Sequence, residues 1–295
     1  MTLDLATIAF NAMSWAMATF LVASGLTLVF GVLHILNFAH GGFFLLGAYM
    51  LFSIAQAFGG ELPVVLYVLA CLGIAVVIAL LGIVANALVF ERLRHVDDAY
   101  VLIATYALLL FVEGVAKLIW GIDSLSVMPP SDLLGAVFAG SLVMPHYSIF
   151  LIVSGVIVFV SLEWMMVKTA FGRMLQAVAI DPWMCGLLSV NVDRIRALTI
   201  VIGFGLAGLA GGLLAANQGL DPRAGGAFII QAFGVIIIGG MGSIRGAFFA
   251  ALILGFMEAI GLVLLPQFPG IFFYITLAGM LLVRPRGLIS RGAVA

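Results

Sequence analysis

Charge is what this sequence has least of. Of 295 residues, 12 are basic and 13 acidic, so charged types make up 8% against roughly 25% in an ordinary soluble domain. A globule of this size could not cover its surface with so few charges, which excludes a soluble enzyme or a nucleic-acid binder. The formal net charge of -1 also excludes a polyanion as the main partner. Cysteine is nearly absent. Cys71 sits in an apolar run and Cys185 in a polar-flanked stretch, a spacing that makes neither a disulfide framework nor a metal site, and no metal is expected. Lysine occurs only as Lys117 and Lys168, and neither closes a GxxxxGK[ST] phosphate loop. The chain cannot bind ATP in that way, so any ATP-driven cycle must borrow its motor. Met1 to Asp4 has no basic n-region, so the first apolar run is expected to be a permanent helix rather than a cleaved leader.

What is present is apolar sequence. Hydrophobic types make up 65% of the chain, enough at ~20 residues per membrane-spanning helix for about nine spans. No segment alternates polar and apolar at period two in the manner of barrel strands. The expected fold is therefore an all-α polytopic membrane protein, one domain over residues 1–295, with eight to nine transmembrane helices and one or two broken or re-entrant segments. Spans are expected at 8–30, 42–58, 64–90, 99–120, 147–166, 197–217 and 247–265, with a short one at 229–240 and a borderline one at 270–283. Ten of the twelve basic residues can share one side: Arg92, Arg94, Lys168, Arg173, Arg194, Arg196, Arg245, Arg284, Arg286 and Arg291. The positive-inside rule then puts the 167–196 loop and the C-terminus in the cytoplasm and, by counting back, the N-terminus outside.

The 167–196 loop carries helix signals of its own. Asp181 followed by Pro182 reads as an N-cap and a first-turn proline, opening a short helix through Trp183 to Leu188 that exposes Trp183 or Met184. Asn191 or Asp193 can cap the next span. An amphipathic element resting on lipid headgroups and one that docks a partner both fit.

The run Gly172-Arg173 … Ala179-Ile180-Asp181 … Gly186-Leu187-Leu188-Ser189-Val190-Asn191 … Asp193-Arg194, then Ala197-Leu198-Thr199, resembles the cytoplasmic coupling loop of ABC-importer permeases. The match is with the branched-chain amino acid (Liv-type) permease family. Gly31 … Ile35-Leu36-Asn37-Phe38-Ala39-His40-Gly41 … Gly47-Ala48-Tyr49 and Gly239-Gly240-Met241-Gly242-Ser243 agree with it, so the likeness runs over nearly the whole chain. It departs at Ile180, where the family usually has an acidic residue, at Ser189, usually glycine, and at Gly42, often glutamate. The resemblance implies a transport subunit, not an enzyme, for branched-chain or related small amino acids. It implies a second related permease subunit, two cytoplasmic ATPases that hold ATP and Mg, an extracytoplasmic solute-binding protein, no cofactor on this chain, and a bacterial cytoplasmic membrane. The ATPase-coupling residues it implies are Gly172, Arg173, Ala179, Asp181, Pro182, Trp183, Gly186, Leu187, Asn191 and Arg194.

Candidate pathway residues are polar groups in apolar surroundings. His34, Asn37 and His40 recur at i, i+3 and i+6, with Phe38 between them and Gly41 and Gly42 beyond. If helical, they share a face. A broken helix lining a cavity fits, as does interhelical polar glue at ~0.6 kcal/mol each. A water-channel Asn-Pro-Ala triplet does not fit, because the proline is missing. Gly239, Gly240, Gly242 and Ser243 are a second expected break, or a turn. Glu258, well within a span, must find a partner, stay protonated or face water, since an unpaired charge there costs at least ~2.5 kcal/mol. Gly203, Ala207 and Gly211, with Gly208 and Gly212, have the spacing of close helix packing. The competing class is a stand-alone secondary transporter or channel for a small polar solute such as urea or an amide. It would favour several mid-membrane carboxylates, of which Glu258 is the convincing one. A membrane enzyme would need more than His34 and His40.

Overall fold

Away from water a long apolar run satisfies its own backbone as an α-helix, and that is what this chain forms. The computed structural model describes residues 5–93, 96–139, 142–284 and 287–289. Met1 to Asp4, Arg94, Arg286 and Arg291, used above for the leader and the charge skew, lie outside the described residues. In chain order the elements are α1 (Leu5–Leu33), α2 (Ala39–Ala57), α3 (Val64–Ala85, continued by a π-helical turn at Asn86–Phe90), α4 (Asp98–Trp120), strands β1 (Ala136–Ala139) and β2 (Leu142–Pro145), α5 (His146–Lys168), α6 (Ala170–Ile180), α7 (Pro182–Leu187), α8 (Val192–Leu214), α9 (Ala224–Gly239), α10 (Ile244–Leu264) and α11 (Ile271–Val283).

Seven of the described helices, α1 to α5 with α8 and α10, are long and apolar enough to cross a membrane. Helices α9 and α11 have 16 and 13 residues, short of the ~30 Å hydrocarbon core at 1.5 Å per residue. Before α9, Leu220 pairs with Leu125 at the end of the bundle opposite α6 and α7. After α11, the N–H groups of Leu288 and Ile289 donate to Ile238 and Gly239 at the far end of α9, at 2.7 and 3.2 Å. An all-α polytopic membrane protein is the result.

One short hairpin accompanies the helices. β1 and β2 form an antiparallel hairpin with Val137 opposite Met144, on the side of the bundle away from α6 and α7. Both strands are apolar throughout, so no period-two pattern marks them.

Helices α1 and α8 form the centre. Every residue of α1 from Thr19 to Val32 is buried, as expected of a helix apolar on all sides. By contrast α3 turns Val65, Leu69, Leu72, Val76 and Leu80 outward, an apolar face suited to lipid. Small residues let the central helices close up. A Cβ on Gly203 would meet Val29 of α1, one on Gly211 would meet the Phe44 carbonyl and Ala48 of α2, and one on Gly208 would run into Ile78 of α3. The glycine rows of α8 thus serve packing on two faces at once.

Candidate functional site

The 167–196 loop is built from capped helices. The Thr169 hydroxyl donates to Met165 O at 2.6 Å and accepts from Gly172 N at 3.1 Å, which starts α6 directly beneath α5. Gly172 has no room for a side chain, since a Cβ would strike the Met165 and Met166 backbone. Gln176 ties the same turn by donating to Met166 O at 2.8 Å, Arg173 reaches Lys168 O, and Ala179 packs on the core. Asp181 accepts from Met184 N at 2.9 Å and Pro182 occupies the first turn of α7. Asn191, rather than Asp193, caps α8 by accepting from Arg194 N at 2.9 Å.

This scaffold holds up an apolar face with nothing on it. Cys185 is buried, while Ile180, Met184 and Leu187 are exposed, and Trp183 and Leu188 are 70% and 72% exposed. A Cβ on Gly186 would meet no atom of the described residues within 4 Å, so none of them requires a glycine there. After α7 the chain turns through Ser189 at φ 62°, the left-handed region that favours glycine. Arg194 is exposed at the start of α8.

The break near the start of the chain lies elsewhere than expected. Residues 34–38 are not helical, so His34, Asn37 and His40 share no helix face. His34 turns the chain at φ 56° and is exposed. Gly41 and Gly42, expected at the break, lie inside α2. They are there for packing, Gly41 against the Gly225 carbonyl and Gly42 against Val112. The freed backbone is met by Thr105 of α4, whose hydroxyl accepts from Phe38 N at 3.3 Å and lies 3.4 Å from Leu36 O. Asn37 and His40 are fully buried. Asn37 Oδ1 accepts from Ala39 N at 3.0 Å, and His40 Nε2 is 3.0 Å from Val22 O. Asn37 Nδ2 and His40 Nδ1 have no hydrogen-bond partner among the described residues. Phe38 stacks edge-on to Tyr106 and Phe233.

At the other glycine cluster, Gly239 ends α9, Gly240 and Gly242 take φ 97° and 80°, and Ser243 caps α10 through Gly246 N at 3.0 Å. A Cβ on Gly242 would meet Gly31 at the end of α1. Arg245 pairs with Glu163 of α5, its Nε donating at 2.6 Å. This turn is thereby tied to the helix that carries the 167–196 loop.

Glu258 is 4% exposed and has found partners. Its two oxygens accept from Gly270 N at 2.6 Å and Phe273 N at 3.1 Å, closing the N-terminus of α11. Glu113 is also buried, with Gly226 of α9 and the charges of Lys117, Asp221 and Arg223 nearby. Three of the cavities among the described residues bear on the site. One of about 510 Å³, lined by Asn86, Glu91, Asp98, Asp193 and Arg196, opens between the ends of α3, α4 and α8. Two smaller ones meet at Trp15 and Gln231, residues that no local sequence pattern singles out.

Residues 8–284 match the family described as branched-chain amino acid transport system / permease component. The chain is 31% identical to the high-affinity branched-chain amino acid transport system permease protein LivH of Escherichia coli K12, over 97% of this chain and 95% of that protein. It is 30% identical to the high-affinity branched-chain amino acid transport system permease protein BraD of Pseudomonas aeruginosa, over 93% of this chain and 92% of that protein. It is 26% identical to LivM of Salmonella typhimurium, another permease protein so described, over 78% and 58%. No solved structure matches.

Proposed function

The chain belongs to the branched-chain amino acid transport permease family, and on that premise we infer that it is the membrane-spanning permease subunit of an ATP-driven importer for branched-chain or related small amino acids. It performs no covalent chemistry. Its partners are a second related permease chain, two cytoplasmic ATPases that hold ATP and Mg, and an extracytoplasmic binding protein that delivers the solute. The 167–196 loop and the C-terminus face the cytoplasm of a bacterial inner membrane, and the N-terminus faces outward.

The observation that carries this reading is the bare apolar face of α7. Trp183 and Leu187 are exposed on a six-residue helix, with exposed Leu188 just beyond it; the helix is capped at its start and leads within a few residues into α8. Aromatic and aliphatic anchors of this kind are where binding energy concentrates. A push on α7 passes to α8 through the Asn191 cap and to α5 through α6. Reversing a two-state gate takes ~5.5 kcal/mol of differential binding, which nucleotide-dependent contacts with the ATPases supply.

Proteoliposomes test it. The complete complex takes up leucine against its gradient only with ATP inside, and the chain alone takes up none. Uphill uptake by the isolated chain, with no nucleotide-hydrolysing companion, overturns the reading.

A further inference from the structure

The two smaller cavities, about 170 and 290 Å³, share Trp15 and Gln231 as common walls. Together they reach the ~300–1,000 Å³ range of small-molecule sites. The first is lined by Thr19, Asn217, Gln218 and Phe228. The chain has only ten side-chain carboxamides, and three of them converge on this one place. None of the three makes a side-chain hydrogen bond among the described residues. Asn217 and Gln218 lie in the turn after α8, at the end of the bundle opposite α6 and α7, and Gln231 lies within α9, so this polar lining runs from that surface inward and is open to water or a polar occupant.

We propose that Trp15, Thr19, Asn217, Gln218 and Gln231 line a chamber in direct contact with the transported amino acid. The proposal rests on the permease reading and deepens it. A carboxamide offers two N–H donors to a carboxylate and a carbonyl acceptor to an ammonium group. Amides therefore match both ends of a zwitterion without a fixed charge that would hold it. A transported solute must be bound well enough to enter and weakly enough to leave. The indole of Trp15 and the ring of Phe228 supply apolar walls for the side chain.

Trp15 and Gln231 stand between the two compartments and form the constriction. The Trp15 ring lies 5.7 Å from that of Phe273, and Phe273 in turn fills the space left by Gly234. Glu258, holding Phe273 N, is a positioning residue for that wall.

The test uses the complete importer in proteoliposomes, with Cys71 and Cys185 replaced by alanine. Gln231→Cys reacts with a water-soluble, membrane-impermeant thiol reagent at least tenfold faster than Leu72→Cys on the outward face of α3. Binding protein, leucine and ATP together slow that labelling. In the native background, Gln231→Leu raises the apparent KM for leucine at least tenfold at unchanged complex yield, and Gln231→Asn restores part of the loss. Leucine uptake by the unaltered complex reports on the permease reading alone. Equal labelling at positions 231 and 72, or an unchanged KM in Gln231→Leu, overturns the chamber even where uptake is normal.

Discussion

The carboxylate of Glu258 accepts the backbone N–H of Gly270 at 2.6 Å. Gly270 stands at the N-cap of α11 with φ 85° and no side chain to cap the helix itself. A residue on the preceding helix therefore does what a capping-box glutamate does within its own helix, and its negative charge meets the positive end of the helix dipole. Replacing Glu258 with leucine strands two donors. Hydrogen bonds to a charged group contribute ~1.5–3 kcal/mol each, so Glu258→Leu is expected to cost about 3 kcal/mol, and Glu258→Gln markedly less. Thermal unfolding of the purified chain in detergent checks the order of the two variants.

The α7 face separates docking from folding. Trp183→Asp and Gly186→Asp both point into open space, so each variant should insert and melt like the parent chain. Each should lose copurification with the ATPases, since loss of a hot-spot contact of ~2 kcal/mol or more weakens binding at least ~30-fold. Retained copurification with normal uptake would show that the ATPases dock elsewhere.

Ser189 is a non-glycine residue at φ 62°. The left-handed region costs an L-residue roughly 1–2 kcal/mol, and glycine gives part of that back through its freer unfolded chain. Ser189→Gly should stabilise the chain by about 0.5–1 kcal/mol, while Ser189→Val should destabilise it. A pair of melting curves decides, and no gain from glycine would mean that the serine side chain supplies a compensating interaction.

Glycines of α8 and α4 should part company. A Cβ on Gly211 would overlap the Phe44 carbonyl, whereas one on Gly114 meets nothing within 4 Å. Gly211→Ala forces two central helices apart, at ~1–3 kcal/mol for overpacking. Gly114→Ala should be neutral or gain up to ~1 kcal/mol of helix propensity. The yield of folded chain by size-exclusion chromatography is the readout.

The parts legible in the sequence were those with local causes. The Asp181–Pro182 pair and Asn191 cap their own helices, and hydropathy alone locates the long spans. What was not legible depends on residues distant in the chain. Gly41 and Gly42 look like a helix break, but their reason is the approach of Gly225 and Val112. The break itself, at 34–38, is tolerated because Thr105, some 67–69 residues further on, serves its backbone. The hairpin at 136–145 hides in uniformly apolar strands. Trp15 and Gln231 are single residues on separate helices, and only the fold makes them neighbours.

Leu288 and Ile289 fasten onto Ile238 and Gly239, and Gly240 lies so close to Ile289 that a side chain there would not fit. The chain is made from its N-terminus, so this buckle arrives well after the joint that it fastens. Until the ribosome has passed residue 289, the joint between the ninth and tenth helices waits with two carbonyls open. The same joint abuts Gly31 and, through Arg245, the fifth helix. A chain cut before residue 288 would therefore keep its spans and lose the fastening.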